Sequence, residues 1–228
     1  MMRRNIALIP AAGVGARFGA GKPKQYVEIN GKTVLQHTIE IFEQHSRIDL
    51  IAVILSPEDS VFQTALSEKV RVFRVGGASR AETVRNGVSV LLEQGLAEAQ
   101  DNILVHDAAR CCLTAEALTR LLDEAGEKDE GGILAIPVAD TLKRSDGSHH
   151  IEETVARAGL WQAQTPQLFQ TALLHRALSV DDLSEITDEA SAIEKLGIRP
   201  CLVQGDTRNL KLTLPQDEYI VRLLLKAV

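Results

Sequence analysis

The chain has 228 residues, 45% of them hydrophobic, and its 25 Lys and Arg against 31 Asp and Glu give a net charge of −6. That size supports a sizeable core without disulfides or metal staples and suits one domain, expected over residues 1–228. The acidic balance, with no basic stripe, argues against a nucleic-acid partner, and no run approaches the roughly 18 apolar residues of a membrane span.

The first predicted element is a buried strand, Ile6-Ala7-Leu8-Ile9. Met1-Met2-Arg3-Arg4 before it has the outline of a signal peptide. Pro10 and Arg17 interrupt the apolar stretch, so none is expected. Cys111, Cys112 and Cys201 are odd in number and lack metal-ligand spacing. A cytoplasmic, reducing location is expected.

The strand runs into Pro10-Ala11-Ala12-Gly13-Val14-Gly15-Ala16-Arg17-Phe18, and Pro23-Lys24-Gln25-Tyr26 follows closely. Small residues after a buried strand let backbone N–H groups approach a ligand. Arg17 and Lys24 add two cations. The combination points to a loop that wraps a polyphosphate. It is not a dinucleotide fingerprint, because Phe18 takes the place of the third glycine. Nor is it a Walker A loop. Gly21-Lys22 are in register, but Ala16 and Pro23 replace the required Gly and Ser or Thr.

Leu50 to Leu55 is nearly all apolar, as in a strand buried on both faces. It ends at Ser56 rather than at an acid for a ribose hydroxyl, which disfavours an NAD-dependent oxidoreductase. Ser56, Pro57 and Asp59 predict a helix start. Val70 to Val75 is a third strand. Gly76-Gly77 then precede Ser79-Arg80-Ala81-Glu82-Thr83, a capping box for a helix carrying Val84, Val88, Leu91 and Leu92. Flexible backbone at a helix N-terminus favours an anion or a base edge.

Ile103-Leu104-Val105 is a strand that leads into His106-Asp107-Ala108-Ala109-Arg110. Asp107 is a hard oxygen ligand suited to Mg²⁺ shared with phosphates. Ala108 and Ala109 leave room beside it, and Arg110 has the fork for a second phosphate. The alternative is an Asp cap with a surface Arg. His106, beside a buried strand, reads as structural. Thr114 starts a helix bearing Leu118, Leu121 and Leu122, and Ile133 to Val138 is a further strand.

This order predicts an α/β fold, a mostly parallel twisted sheet with helices on both faces. The Pro10 loop, Gly76-Gly77 and His106-Asp107 all follow strands. They should gather on one edge of the sheet, where such folds bind ligands. The pattern breaks between Ala139 and Arg157. Asp146-Gly147 is a hairpin-turn signal and predicts a protruding β-arm at about 139–158. An isolated hairpin is marginally stable, so the arm is expected to pack on something, a second subunit included. A flexible loop is the alternative.

Asp140-Thr141-Leu142-Lys143-Arg144, Arg157 and Gln164-Thr165-Pro166-Gln167 flank the arm. They suit a phosphorylated polyol, or simply a solvated arm. Trp161 to Gln164 reads as a short strand, and Gln167 to Leu178 and Thr187 to Leu196 as helices. Pro200 to Val203 and Asn209 to Thr213 read as strands, and a C-terminal helix follows from Pro215. Lys211 alternates with Leu210 and Leu212 and faces away from them. It is either a surface lysine or a group within reach of the reacting phosphate.

Pro10 through Arg17, Pro23-Lys24-Gln25-Tyr26, His106 through Arg110, Thr165-Pro166-Gln167, Thr187-Asp188-Glu189-Ala190 and Asn209 through Thr213 together resemble the 2-C-methyl-D-erythritol 4-phosphate cytidylyltransferase family. The match runs in order over nearly the whole chain. It implies a Rossmann-like nucleotidyltransferase fold. It implies transfer of CMP from CTP to 2-C-methyl-D-erythritol 4-phosphate, giving 4-diphosphocytidyl-2-C-methyl-D-erythritol and pyrophosphate in the non-mevalonate route to isoprenoid precursors.

The resemblance also assigns residues. Arg17 and Lys24 would hold the CTP triphosphate, Lys211 would contact the α-phosphate, and Asp107 would bind Mg²⁺. Ala11, Ala12, Gly13, Gly77, Thr83 and Ala108 would line the nucleotide pocket with Asp107. Thr141, Arg157 and Thr165 would meet the methylerythritol phosphate, with Arg110 near its phosphate. A homodimer joined through the arm is implied, with Thr141 and Arg157 serving the partner's site. Three positions depart from the family pattern. Cys112 stands where proline is usual, Ala78 where an acid is common, and Thr83 where serine is more frequent. Two readings compete: a cytidylyltransferase for another polyol phosphate, such as ribitol 5-phosphate, and a non-catalytic nucleotide-binding module. The retained Arg17, Lys24, Asp107 and Lys211 disfavour the second.

Overall fold

Strand side chains alternate between the two faces of a sheet, and in this chain both faces are buried. The computed structural model describes residues 3–13, 23–64 and 67–226. It begins with β1 (Asn5–Pro10), a 3₁₀ turn at Lys24–Tyr26, the two-residue strands β2 (Glu28–Ile29) and β3 (Lys32–Thr33), and α1 (Val34–Gln44). Next come β4 (Leu50–Ile54), β5 (Val70–Phe73), α2 (Arg80–Glu93), β6 (Asn102–Val105), α3 (Ala115–Ala125) and β7 (Gly132–Pro137). The chain ends with β8 (Leu142–Ser145), β9 (Ile151–Val155), β10 (Trp161–Gln170), α4 (Thr171–Leu178), α5 (Glu189–Glu194), β11 (Cys201–Gln204) and α6 (Asp217–Leu224).

Seven strands form the main sheet in the order β11-β7-β10-β6-β1-β4-β5. All run parallel except β10, which pairs antiparallel with both β6 and β7. On β1, Ala7 and Ile9 face one core while Ile6 and Leu8 face the other. The first core is covered by α1 and α3, through Leu35, Ile39, Phe42, Leu118 and Leu121. The second is covered by α2 and α4, through Val84, Val88, Leu91, Leu174 and Leu178. Each such apolar side chain, fully buried, contributes about 1.5–3 kcal/mol. Gly87 lets α2 lie close on the sheet: a Cβ there would stand 2.8 Å from Ile54 Cγ1.

The topology creates the site. From β1 the chain steps outward to β4 and β5, then returns to the other side of β1 as β6. The crevice beyond the carboxyl ends of β1 and β6 is therefore a topological switch point.

The structure departs from the sequence expectations at several elements. No helix follows Ser56. Asp59 instead accepts from the backbone N–H groups of Val61 and Phe62, and from the Tyr26 hydroxyl. Val61 is exposed and Phe62 packs on the first core, so adjacent apolar residues point opposite ways rather than forming a helical face. The strand from Trp161 extends through Gln170, and its helix starts only at Thr171. Leu168 and Phe169 go to opposite cores, which is strand periodicity. Asn209–Thr213 is not a strand; Leu212 N–H reaches Ala109 O, but no ladder of backbone bonds continues from it. The helix α1 and the small hairpin before it had no counterpart in the sequence reading. The arm is present as β8 and β9, paired antiparallel in a sheet of their own.

Candidate active site

Three loops at the carboxyl ends of β1, β5 and β6 meet around a cavity of about 480 Å³. Ala11 N–H and Gly76 N–H reach across to the carbonyls of Ile54 and Leu55, each at 2.8 Å, which fixes the first two loops side by side. Gly76 has no room for a side chain, because a Cβ would stand 2.3 Å from that of Ala12. Gln25 pins the first loop from outside, donating to Ala11 O at 3.0 Å and Gly13 O at 2.9 Å. In the second loop the Thr83 hydroxyl accepts from Gly77 N–H at 3.1 Å. Ser79 caps α2 through Glu82 N–H, but the Glu82 carboxylate turns to Ala78 N–H, so the expected capping box is half made.

Of the residues expected at the nucleotide, Ala11, Ala12, Gly13, Gly77, Thr83 and Ala108 line this cavity. Lys24, Asp107 and Lys211 line it too. Lys24 Nζ donates to Leu212 O at 3.2 Å, beside Lys211. Arg17 lies outside the described residues. Arg110 and Thr165 do not face the cavity but sit behind Asp107. Arg110 donates to Asn209 O at 2.6 Å. Thr141 and Arg157 are exposed and flank the base of the arm, where Leu142 pairs with Val155.

Asp107 is the electrostatic centre. Its Oδ1 takes Arg80 Nε at 2.8 Å, and its Oδ2 takes Lys211 Nζ at 2.8 Å with Arg110 Nε at 3.6 Å. Burial opposes its charge, yet Arg80, Lys211 and Arg110 outweigh that and hold its pKa far below the usual carboxylate range. Arg80 also forks onto Glu189, at 2.6 and 3.0 Å. Burial raises the Glu189 pKa, and Arg80 opposes the rise. The Arg110 guanidinium is moved the other way, its pKa lowered by burial.

His106 is structural, as its position suggests. It is fully buried, and burial lowers its pKa to about 4. Arg110 O, 3.0 Å from Nε2, only accepts, so Nε2 carries the proton. Nδ1 then accepts from the Thr165 hydroxyl at 3.0 Å. That hydroxyl in turn accepts Asp107 N–H at 3.1 Å. The Thr165 proton is therefore committed to His106.

Gln25, Arg80 and Glu189 are site residues to which the sequence reading gave no role. Gln25 and Glu189 stand inside motifs quoted above, and Arg80 directly follows a helix cap. Nothing local marks their partners.

Glycine-lined loops and paired cations at the switch point of such a sheet define a nucleotide-binding α/β protein of nucleotidyltransferase type. The family model described as "IspD: 2-C-methyl-D-erythritol 4-phosphate cytidylyltransferase" matches residues 5–227. The chain belongs to this family. A relative of that name from Neisseria meningitidis serogroup A is 70% identical, covering 100% of both chains. Another from Chromobacterium violaceum is 49% identical, covering 97% of this chain and 98% of its own. A crystal structure of 4-diphosphocytidyl-2C-methyl-D-erythritol synthase superposes with a TM-score of 0.87 at 62% identity, covering 99% of each chain. The Francisella tularensis 2-C-methyl-D-erythritol 4-phosphate cytidylyltransferase structure gives 0.82 at 32% identity, covering 97% of this chain and 99% of its own. Among the described residues no helix is long and apolar enough to cross a membrane.

Proposed function

We propose that this chain transfers the cytidylyl group of CTP to 2-C-methyl-D-erythritol 4-phosphate, releasing pyrophosphate, in the synthesis of isoprenoid precursors. The observation that carries the reading is Lys24 and Lys211 in one cavity with Asp107 at the β1/β6 switch point. The acceptor phosphate attacks the α-phosphorus in line. A phosphate monoester has a second pKa near 6, so the attacking oxygen is already ionised at pH 7. No general base is needed, and His106, buried with both ring nitrogens engaged, is not placed to act as one.

The obstacle is repulsion between two polyanions. Lys24, Lys211 and Arg17 are assigned to offset it by holding the triphosphate and the charge that develops at the α-phosphate. Ala11, Ala12, Gly13, Gly77, Thr83 and Ala108 are assigned to the nucleoside and phosphates through close-approaching backbone. Thr141, Arg157, Thr165 and Arg110 are assigned to the acceptor, Thr165 and Arg110 from behind Asp107 rather than from the cavity wall.

Asp107 also suits Mg²⁺. Among the described residues no group of three or more His, Cys, Asp or Glu forms a cage. A metal here would therefore take most of its ligands from phosphate and water, as Mg²⁺ commonly does. The ion would replace Lys211 on Asp107 Oδ2, since Lys211 is a single charge on a flexible stem and is 39% exposed. When bound, the ion would neutralise triphosphate charge. The three free cysteines suit a reducing cytoplasm.

One experiment tests the reading. Pyrophosphate release is followed with each of four nucleoside triphosphates and several polyol phosphates. Release should need CTP and 2-C-methyl-D-erythritol 4-phosphate together. Release without the methylerythritol phosphate, or equally fast with ribitol 5-phosphate, overturns it. We further infer a homodimer through the arm. Both of its strands lie largely exposed, with Ile151 67% exposed, and a lone hairpin is marginal. Light scattering at micromolar protein should give twice the chain mass; a strictly monomeric species counts against the dimer.

A further inference from the structure

The motif Thr187-Asp188-Glu189-Ala190 is left without a role by the reaction just described, and Glu189 is a charged side chain only 1% exposed. Its partner is Arg80, the first residue of α2. Arg80 is gripped at both ends, its two terminal nitrogens on Glu189 and its Nε on Asp107 Oδ1. Glu189 is itself held from below. The side chain of Gln167 on β10 accepts from Ala190 N–H at 2.8 Å and donates to Asp188 at 2.8 Å. A fixed line thus runs from β10 through the start of α5 and across Arg80 to the Asp107 carboxylate.

We propose that Arg80, anchored by Glu189, is a positioning residue that fixes the Asp107 carboxylate and so leaves Lys211 free to move to the nucleotide. The two cations on Asp107 differ in kind. Arg80 is a planar fork with its three bonds already made. Lys211 is a single charge on a flexible stem, and its side chain is more exposed than that of Arg80, 39% against 29%. As charge builds at the reacting α-phosphate, the cheaper bond to give up is the one from Lys211. Without Arg80, Lys211 at 2.8 Å would be the nearest counter-charge to Asp107 among the described residues, ahead of Arg110 at 3.6 Å. Lys211 would then be retained on the carboxylate during the reaction. A buried ion pair is weak evidence for stability, so the consequence looked for here is geometric.

The inference rests on the proposed role of Lys211, and the test separates the two. Single removal of either Arg80 or Glu189 leaves a buried charge alone, so the pair is removed together as Arg80→Leu/Glu189→Leu. Circular dichroism and calorimetric CTP binding check the fold and the pocket. Turnover at saturating CTP should fall about tenfold, whatever the loss of the Arg80 charge from the cavity wall does to CTP affinity, because the lost support acts as the α-phosphate reacts. The same pair introduced into Lys211→Ala should change turnover by less than about twofold, since both act through one charge. Arg80→Lys, which keeps the charge pair and loses the fork, should fall between. A full tenfold loss on top of Lys211→Ala, or wild-type turnover in the double variant, overturns the positioning role. Wild-type turnover in Lys211→Ala alone instead rejects the assignment of Lys211.

Discussion

Lys24→Ala is expected to lower turnover by roughly 10²–10³, the usual cost of losing a donor aimed at developing charge. The structure says why the effect should be catalytic. Lys24 opens a single 3₁₀ turn at the cavity wall and is tied to the rest of the molecule by a bond to Leu212 O. Losing a charge-assisted bond costs about 1.5–3 kcal/mol, less than the whole stability of a typical domain. The neighbours that hold the turn, Gln25 and Tyr26, are buried and untouched. The measurement is steady-state turnover with CTP beside thermal unfolding of the same sample. Near-normal turnover would sink the assignment of Lys24, and lost turnover with lost folding would not support it.

Acidification is expected to act on the fold through His106. Its folded pKa is about 4 against 6.5 for a free imidazole. The unfolded chain therefore binds this proton first as pH falls. The stability tied to a neutral His106 is complete above pH 6.5 and is lost as pH drops toward 4. The span of pKa units corresponds to roughly 3 kcal/mol. The groups around it explain the sign. Burial dominates, aided by Arg110, while Asp107 and the two hydrogen bonds oppose it; Phe42 closes the apolar side, 5.2 Å between ring centroids. Glu189, its pKa raised by burial, works the other way, lending stability at low pH that fades as pH rises through its folded value. Asp107, whose charge burial opposes but Arg80, Lys211 and Arg110 favour, lends stability that is complete above the ordinary carboxylate range and is lost only below it. His106→Gln keeps a donor for Arg110 O and removes the titration. Urea unfolding at pH 7 and pH 4 should show the variant losing about 3 kcal/mol less than wild type across that interval. Equal losses in both proteins reject His106 as the source.

Much of the fold was legible because burial on both sheet faces writes itself into the chain. Ile6-Ala7-Leu8-Ile9 and Ile51 to Leu55 are apolar at every position, so their strand character needed no partner to be read. The caps Ser79 and Thr114 were legible for a similar reason, since each serves a backbone N–H three residues away. The glycines and alanines after β1 and β5 announced a close backbone approach, and they do line one cavity. Gln167 to Gln170 were misread as helix because Leu168 and Phe169 are adjacent, and only the presence of a core on each side makes them a strand. Asn209–Thr213 alternates like a strand, but among the described residues no strand pairs with it to complete a ladder.

The sequence by itself determined the parallel α/β layering, the loop after β1 and the identity of the charged groups, because these follow from local pattern and from what each side chain can do. Only the tertiary structure decided which charges meet. Arg80 and Glu189 are 109 residues apart, Arg80 and Asp107 are 27, and no periodicity links them. The alternation around Lys211 left it either a surface lysine or a group within reach of the reacting phosphate; its place on Asp107 came only with Leu212 docked on Ala109. Backbone preferences act over a few residues, whereas the energy of an ion pair depends on distance and burial, which exist only once the sheet has brought distant loops to one edge.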